Sequence, residues 1–371
     1  MAEFVFWQRI VSPHMANLAL ELARIGHKVT YVAERPISEA RRKMGWDVPE
    51  LFPAKLVIAP DAQRMRVLAQ DMPDHTIHFC QGVRGNGTVG VAQQELARLG
   101  RRQWAILETV DDEGYGGVLK RWLYRKVCRR FISQGEGILA IGRNTPGWLE
   151  NCGVPRSRIL PFAYFLAERD LPLQPAPCEG RPFRIAFAGS LLPGKRVGDL
   201  FQAASQIGTD LPPWELWVLG DGPDRRSLSR LAEAIVPGRV RWFGMQPMER
   251  IPEHLAQADL LVLPSRHDGW GAVISESLMA GTPVVCSDRC GAADVVLASD
   301  KGGVYPMGQV SALRTQLERA ILAGPPSPEQ RSALKEWAAV LGASAGALYL
   351  DAIFRADQSG VAWPLAPWLK R

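Results

Sequence analysis

No apolar run in this 371-residue chain approaches the roughly 20 residues a membrane-spanning helix needs, so no such span is expected. Cysteine is sparse and scattered. Cys80, Cys128, Cys152, Cys178, Cys286 and Cys290 make no Cys-x-x-Cys pair, so neither a zinc ribbon nor a disulfide framework is expected. The N-terminus, MAEFVFWQRIVSPH, lacks a basic flank and a small-residue cleavage site. A secretory signal is therefore not expected, and the cytoplasm is the expected location. There is no zinc-finger spacing, no glycine-aromatic RNA-binding signature and no basic tail. The net charge of +6 is accordingly not read as nucleic-acid binding. No Asp-x-Asp pair is present.

What is present is an ordinary globular composition, 47% apolar and 22% charged, in a chain long enough for two domains. Short apolar runs at Phe4–Trp7, Lys28–Val32, Lys55–Ile58, Thr76–Phe79, Gln103–Leu107 and Gly137–Ile141 read as strands. Ala16–Arg24 and Val89–Arg98 carry apolar residues every three or four positions and read as amphipathic helices. Such alternation implies a parallel sheet covered by helices on both faces. The proline-rich stretch 171–182 cannot hold a helix and reads as a linker. Beyond it the alternation restarts, with strands at 184–188, 215–219, 239–243, 259–263, 283–286 and 303–305. The expected fold is α/β with two Rossmann-like domains, 1–170 and 183–345, and a closing segment 346–371.

The most informative stretch is DLLVLPSRHDGWGAVISESLMAGTPVVCSDRC, residues 259–290. Its order is strand, glycine-bearing loop, helix, strand, which puts a ligand-binding loop at the carboxyl end of a parallel strand. Asp268 lies in the loop and Glu276 in the helix, with seven residues between them. Gly269 and Gly271 flank Trp270 and allow close backbone approach. The amides of Gly271, Ala272 and Val273 at a helix start suit a phosphate. A carboxylate inside an apolar helix is costly without a partner, so Glu276 is expected to take hydrogen bonds from ribose hydroxyls, with a contact to the helix dipole in the N-terminal half as the alternative. Asp268 reads as a sugar contact, with a plain turn residue as the alternative.

This pattern resembles the acidic pair of the retaining, nucleotide-sugar-dependent glycosyltransferases of family 4, which have the GT-B fold. Further segments carry the resemblance in order across 184–297. They are Phe187-Ala-Gly-Ser-Leu-Leu-Pro-Gly-Lys195, Leu219-Gly-Asp-Gly-Pro223, Val240-Arg-Trp-Phe-Gly244 and Gly281-Thr-Pro-Val-Val285. The resemblance implies a cleft between two Rossmann-like domains, with donor bound by the second, acceptor by the first, and the last segment crossing back to the first domain. It implies a nucleotide-sugar donor and a glycan or lipid-linked acceptor in cell-surface polysaccharide or glycolipid synthesis. It also implies no metal and no cofactor. Lys195 would meet the donor diphosphate, and Gly189, Ser190, Arg196 and Gly244 would line the donor side. Two positions depart from the family. Asp268 stands where Glu is usual and Ser190 where Arg is common, so one planar donor fork is missing. Arg196 is the nearby substitute.

On the acceptor side, His14 follows the first strand where the family is usually glycine-rich; Ser12 as a helix cap is the alternative reading. Glu108 and 111–113 end a strand and face the same side. His27, His75 and His78 read as packing or surface residues. Val118–Phe131 carries cations at Lys120, Arg121, Arg125, Lys126, Arg129 and Arg130, with Leu119, Trp122, Leu123, Val127 and Phe131 read as a separate apolar face. It is either a solvated helix on the sheet or a helix docked on an anionic membrane surface. Two other functions remain open at this point. One is an epimerase or phosphorylase on the same fold; the other is a non-catalytic sugar-nucleotide-binding protein.

Overall fold

A computed structural model describes residues 1–43, 47–84, 86–111, 115–171 and 180–369. Most of the linker 171–182, together with Cys178 and residues 112–113, lies outside them. The chain divides into two compact units, Met1–Ala167 with Leu341–Arg371, and Glu168–Val340.

The first unit holds β1 (Glu3–Ile10), α1 (Pro13–Arg24), β2 (Lys28–Arg35), α2 (Glu39–Lys43), β3 (Lys55–Ile58), α3 (Ala62–Asp71) and β4 (Ile77–Gln81). It continues through α4 (Val89–Arg98), β5 (Gln103–Glu108), α5 (Tyr115–Ile132), β6 (Gly137–Ile141), α6 (Asn144–Asn151) and β7 (Ile159–Phe162). The seven strands are all parallel, in the order β3-β2-β1-β4-β5-β6-β7. Successive side chains of β1 point to opposite faces. Phe6 stacks on Phe79 and Phe4 meets it tilted, with ring centroids 5.1 and 5.8 Å away. Val5 and Trp7 enter the other core, with Met65 and Ala69 of α3 and Ala92 and Leu96 of α4. Around β1 and β4 both faces of the sheet are thus dry, which is why those strands read as continuous apolar runs, while the edge strand β3 is largely exposed.

The second unit holds β8 (Phe183–Ala188), α7 (Val197–Ser205), β9 (Trp214–Leu219), α8 (Arg225–Ile235), β10 (Val240–Gly244), α9 (Ile251–Gln257) and β11 (Leu260–Leu263). There follow α10 (Ala272–Met279), β12 (Val284–Ser287), α11 (Ala293–Ala298), β13 (Gly302–Tyr305), α12 (Val310–Ala323) and α13 (Pro328–Ala338). Its six strands are parallel, in the order β10-β9-β8-β11-β12-β13. At its amino end Asp259 accepts from Arg181 at 2.6 and 2.7 Å and from Arg331 at 3.0 Å, so this buried carboxylate is fully paired.

The last helix, α14 (Ala343–Ser359), packs on α1 in the first unit. The chain re-enters that unit at Leu341, where Leu166 N–H bonds Leu341 O and Ala343 N–H bonds Leu166 O. Here Gly346 is obligatory, because a Cβ would lie 2.3 Å from the Phe165 ring. Phe354 meets Phe4 edge-on at 5.5 Å, and His27 Nε2 lies 3.2 Å from Asp351. His27 is therefore structural. His78 is too: buried in β4, it accepts from Trp7 Nε1 at 3.2 Å, while His75 is an exposed neighbour of Glu3.

Two readings need correction. Ser12 caps α1 with no side-chain hydrogen bond; its backbone N–H goes instead to the Tyr31 hydroxyl. In α5 the buried stripe is Cys128 and Phe131, with Tyr124 and Val127 half-buried, because these residues face Ala105 and Leu107 of β5 and Trp148 of α6. Leu119 and Trp122 do not belong to it. They are 61% and 51% exposed and lie among the cations.

Candidate active site

In an open parallel sheet, ligands bind where neighbouring strands send their connections to opposite sides. In the second unit that place lies between β8 and β11. The chain leaving β8 runs through Gly189 and Ser190 to Lys195; the chain leaving β11 runs through Asp268 to α10. Strand order alone therefore brings together residues far apart in sequence. Lys195 Nζ donates to Asp268 Oδ2 at 2.5 Å, both side chains being largely buried. The loops are also tied directly, by Arg266 N–H to Gly194 O at 2.8 Å.

Each loop is braced from behind. Leu191 N–H bonds Asp221 O at 2.9 Å, and Gly220 N–H bonds Gly244 O at 2.7 Å, joining the turns after β8, β9 and β10. Gly220 cannot be replaced here, since a Cβ would sit 1.9 Å from Gly189 O and its φ is +140°. On the other side, Asp268 O accepts from Gly291 N–H at 2.9 Å, and Trp270 O from Ala292 N–H at 2.8 Å. The Trp270 ring is only 2% exposed and donates Nε1–H to Ser275 Oγ at 3.1 Å. Its side chain therefore anchors the loop.

Gly271 starts α10 at φ 86°, a conformation L residues rarely adopt. The amides of Ala272 and Val273 in the first turn have no intrahelical acceptor and bear the positive end of the helix dipole. One turn on, Glu276 is half-buried, and no described side chain or amide donates to its carboxyl group. Burial pushes its pKa up to about 7; the Arg169 guanidinium pulls the other way. It is thus a desolvated acceptor with unmet capacity.

Arg196 sits in the left-handed region at φ 51°, and its Nε bonds Asp199 Oδ2 at 2.6 Å across the first turn of α7. Three features were not read from the sequence. Arg169 falls in the second unit and acts on Glu276. The Ser265 and Tyr305 hydroxyls are buried without partners at the carboxyl ends of β11 and β13. A rule that examines the residue ending each strand and the two after it would have flagged the last two.

In the first unit His14 and Glu108 also lie at the carboxyl end of their sheet, after β1 and at the end of β5. His14 is buried against Tyr164, with ring centroids 5.3 Å apart. Burial, helped by Arg41, lowers its pKa to about 4. At neutral pH it offers a neutral imidazole and not a positive charge. Among the described residues no group of three His, Cys, Asp or Glu side chains could hold a metal ion.

Comparison with known sequences adds the deciding observation. Residues 174–339 match the family described as glycosyl transferases group 1. That match covers nearly all of the second unit. The lipopolysaccharide 1,6-galactosyltransferase of Escherichia coli (strain K12) is 28% identical over 205 residues, 54% of this chain and 56% of that protein. The 2-deoxystreptamine glucosyltransferase of Streptomyces kanamyceticus is 30% identical over 164 residues, 44% of this chain and 42% of that protein. The chain thus spans about half the length of the curated relatives it matches. Among solved structures, the galactosyltransferase WaaB in its apo form superposes with a TM-score of 0.67 at 16% identity, covering 94% of this chain and 99% of that one. Anabaena HepE in complex with UDP gives 0.70 at 14%, covering 95% and 100%. At such identities the likeness is one of fold. The glycosyl transferase fold has the two parallel Rossmann-like sheets, of the GT-B type.

Proposed function

We propose that the chain is a glycosyltransferase that moves a sugar, with retention, from a nucleotide-diphosphate sugar to a glycan or lipid-linked acceptor in cell-surface polysaccharide or glycolipid synthesis. The observation that carries this is the Lys195–Asp268 pair beside the unpartnered Glu276 at the switch point of the second sheet. The named activities of the bacterial relatives and the UDP-glucose bound by HepE support the acceptor and donor classes.

Chemically, the bond from the anomeric carbon to the diphosphate breaks through an oxocarbenium-like state, and negative charge builds on the leaving group. Lys195 and the amides of Ala272 and Val273 oppose that charge, an effect worth roughly 10²–10³-fold per donor in comparable sites. Glu276, once ionised, accepts from the ribose hydroxyls. Asp268 is released from Lys195 when phosphate takes its place, and then orients the sugar with the Gly269–Gly271 backbone. The departing diphosphate takes the acceptor proton, so no separate base and no metal or other cofactor is invoked.

The acceptor reading extends to a membrane. Val118, Leu119 and Trp122 are 65%, 61% and 51% exposed beside Lys120, Arg121 and Lys126, and Lys126 Nζ lies 4.3 Å from the Trp122 ring centroid. We assign this part of α5 to an anionic lipid surface on the cytoplasmic side, apolar groups entering the interface and cations meeting headgroups. No described helix is long and apolar enough to cross a membrane.

A panel of nucleotide sugars screened by thermal stabilisation identifies the donor, because native-state binding raises Tm by mass action. NMR of the product anomer then tests retention. Turnover of the nucleotide sugar without acceptor indicates an epimerase, and binding without any transfer a non-catalytic protein. Either result overturns the proposal.

A further inference from the structure

A groove of about 380 Å³ lies between α4 and α5 on the Val5–Trp7 face of the first sheet, and nothing in the donor site uses it. Its α4 wall runs from Gly90 to Arg98, eight residues of helical rise or about 12 Å. Arg130 and Phe131 of α5 form the opposite wall, and Gln103 closes the floor. Both its volume and its length exceed what a single small ion occupies.

Two independent observations show unmet demands. Gln103 is 2% exposed, yet its Oε1 has no hydrogen-bond partner, and its Nε2 makes only a long 3.5 Å contact to Gln93 O. A buried amide oxygen without a donor is destabilising, so it marks a place where a ligand hydroxyl or amine belongs. The second is charge. Arg98 is matched by Glu95 at 2.6 Å, and Glu95 is further held by Gln70 at 2.8 Å. Arg130 and Arg84 line the same groove with no carboxylate paired to either among the described residues. A ligand that fits must bring both negative charge and hydroxyl donors. Phe131 and Val127 supply apolar surface for a face of C–H groups.

We propose that this groove binds a phosphorylated carbohydrate, its phosphate at Arg130 and a sugar hydroxyl donating to Gln103 Oε1. Gln103 opens β5 and Gln134 precedes β6, so the end of the groove that would hold the sugar lies at the amino end of the strands, away from the carboxyl-end crevice where a parallel sheet holds a reacting ligand; only Val83 and Arg84, which follow β4, reach toward that crevice. The site is also independent of donor binding, which belongs to the second unit.

The test is titration calorimetry on the full chain with glucose 6-phosphate, glucose 1-phosphate, inorganic phosphate and glucose in turn. The expected result is saturable binding of at least one sugar phosphate, at least tenfold weaker binding of phosphate, and none of glucose. Arg130→Glu, an exposed change that leaves the fold intact, and Gln103→Leu should each weaken the sugar phosphate at least tenfold. Lys195→Ala should leave it unchanged. Absence of sugar-phosphate binding overturns the proposal. So does phosphate binding as tightly as its ester, or a loss confined to Lys195→Ala, which places the ligand in the donor site.

Discussion

Replacing Glu276 with glutamine should make the empty protein more stable while making it a worse enzyme. The carboxyl titrates near 4.5 when solvated and near 7 in the folded chain, because burial disfavours its charge. Below about pH 4.5 it is neutral in both states and contributes no pH dependence. Between those values the folded chain keeps a proton that the unfolded chain releases, so stability falls as pH rises, and above about 7 the full penalty stands. The interval, 7 − 4.5 = 2.5, at about 1.4 kcal/mol for each pH unit amounts to roughly 3 kcal/mol. That is an upper limit, since the side chain is not wholly removed from water. Glutamine is nearly isosteric and carries no such charge. The variant should therefore match the wild type near pH 4.5 and exceed it by up to about 3 kcal/mol at pH 8, on the order of 6–12 °C in Tm for a domain this size. Thermal unfolding of both proteins across pH 4.5–8 measures the difference. A gap that does not change with pH would refute the claim that Glu276 is a desolvated acid. Donor affinity should move oppositely, rising in the wild type as pH passes 7 and staying low and flat in the variant.

Lys195→Ala should lower turnover by about 10²–10³-fold with a smaller loss of donor affinity, as steady-state kinetics would show; an affinity loss alone would make Lys195 only a binding residue. Gly220→Ala should cost more than about 3 kcal/mol in urea unfolding, since its Cβ would overlap Gly189 O; near-wild-type stability would contradict the loop geometry. Activity should survive EDTA in an assay with a soluble acceptor, and strict dependence on added metal would contradict the proposed chemistry. Leu119→Ser with Trp122→Ser should abolish co-sedimentation with anionic vesicles while sparing transfer to a soluble acceptor. Equal partitioning of wild type and variant would remove the membrane from the reading.

Most strands were legible because both sheets are parallel and covered on both faces away from the edge strands β3 and β10, so each inner strand is a short apolar run between polar turns. β7 escaped because Pro161 interrupts Ile159–Phe162 and arginines precede it, which hid an edge strand. The α5 stripe was misassigned because Leu119 and Trp122 fit helical spacing as well as the residues that do face β5. Periodicity shows that a face exists but not what covers it. Asp268 and Glu276 were legible as a pair because they share one strand–loop–helix unit. Their relation to Lys195 was not, since 73 residues separate it from Asp268 and only the strand order joins them. The engagement of Arg196 by Asp199 was equally hidden, although the three-residue spacing on a helix start was there to see.

The salt bridge between Lys195 and Asp268 also bears on which ligands can compete in the crowded solution of a cell. With the two charges cancelling at 2.5 Å, the empty site presents little net field to a passing anion. A free phosphate would have to displace Asp268 and leave that carboxylate with nothing in return. A sugar diphosphate replaces both sides of the exchange at once, phosphate for the ammonium and hydroxyls for the carboxylate. Under the proposed function the resting bridge is a discriminator. It favours a ligand carrying both chemical functions on one molecule over the far more abundant ones carrying either alone.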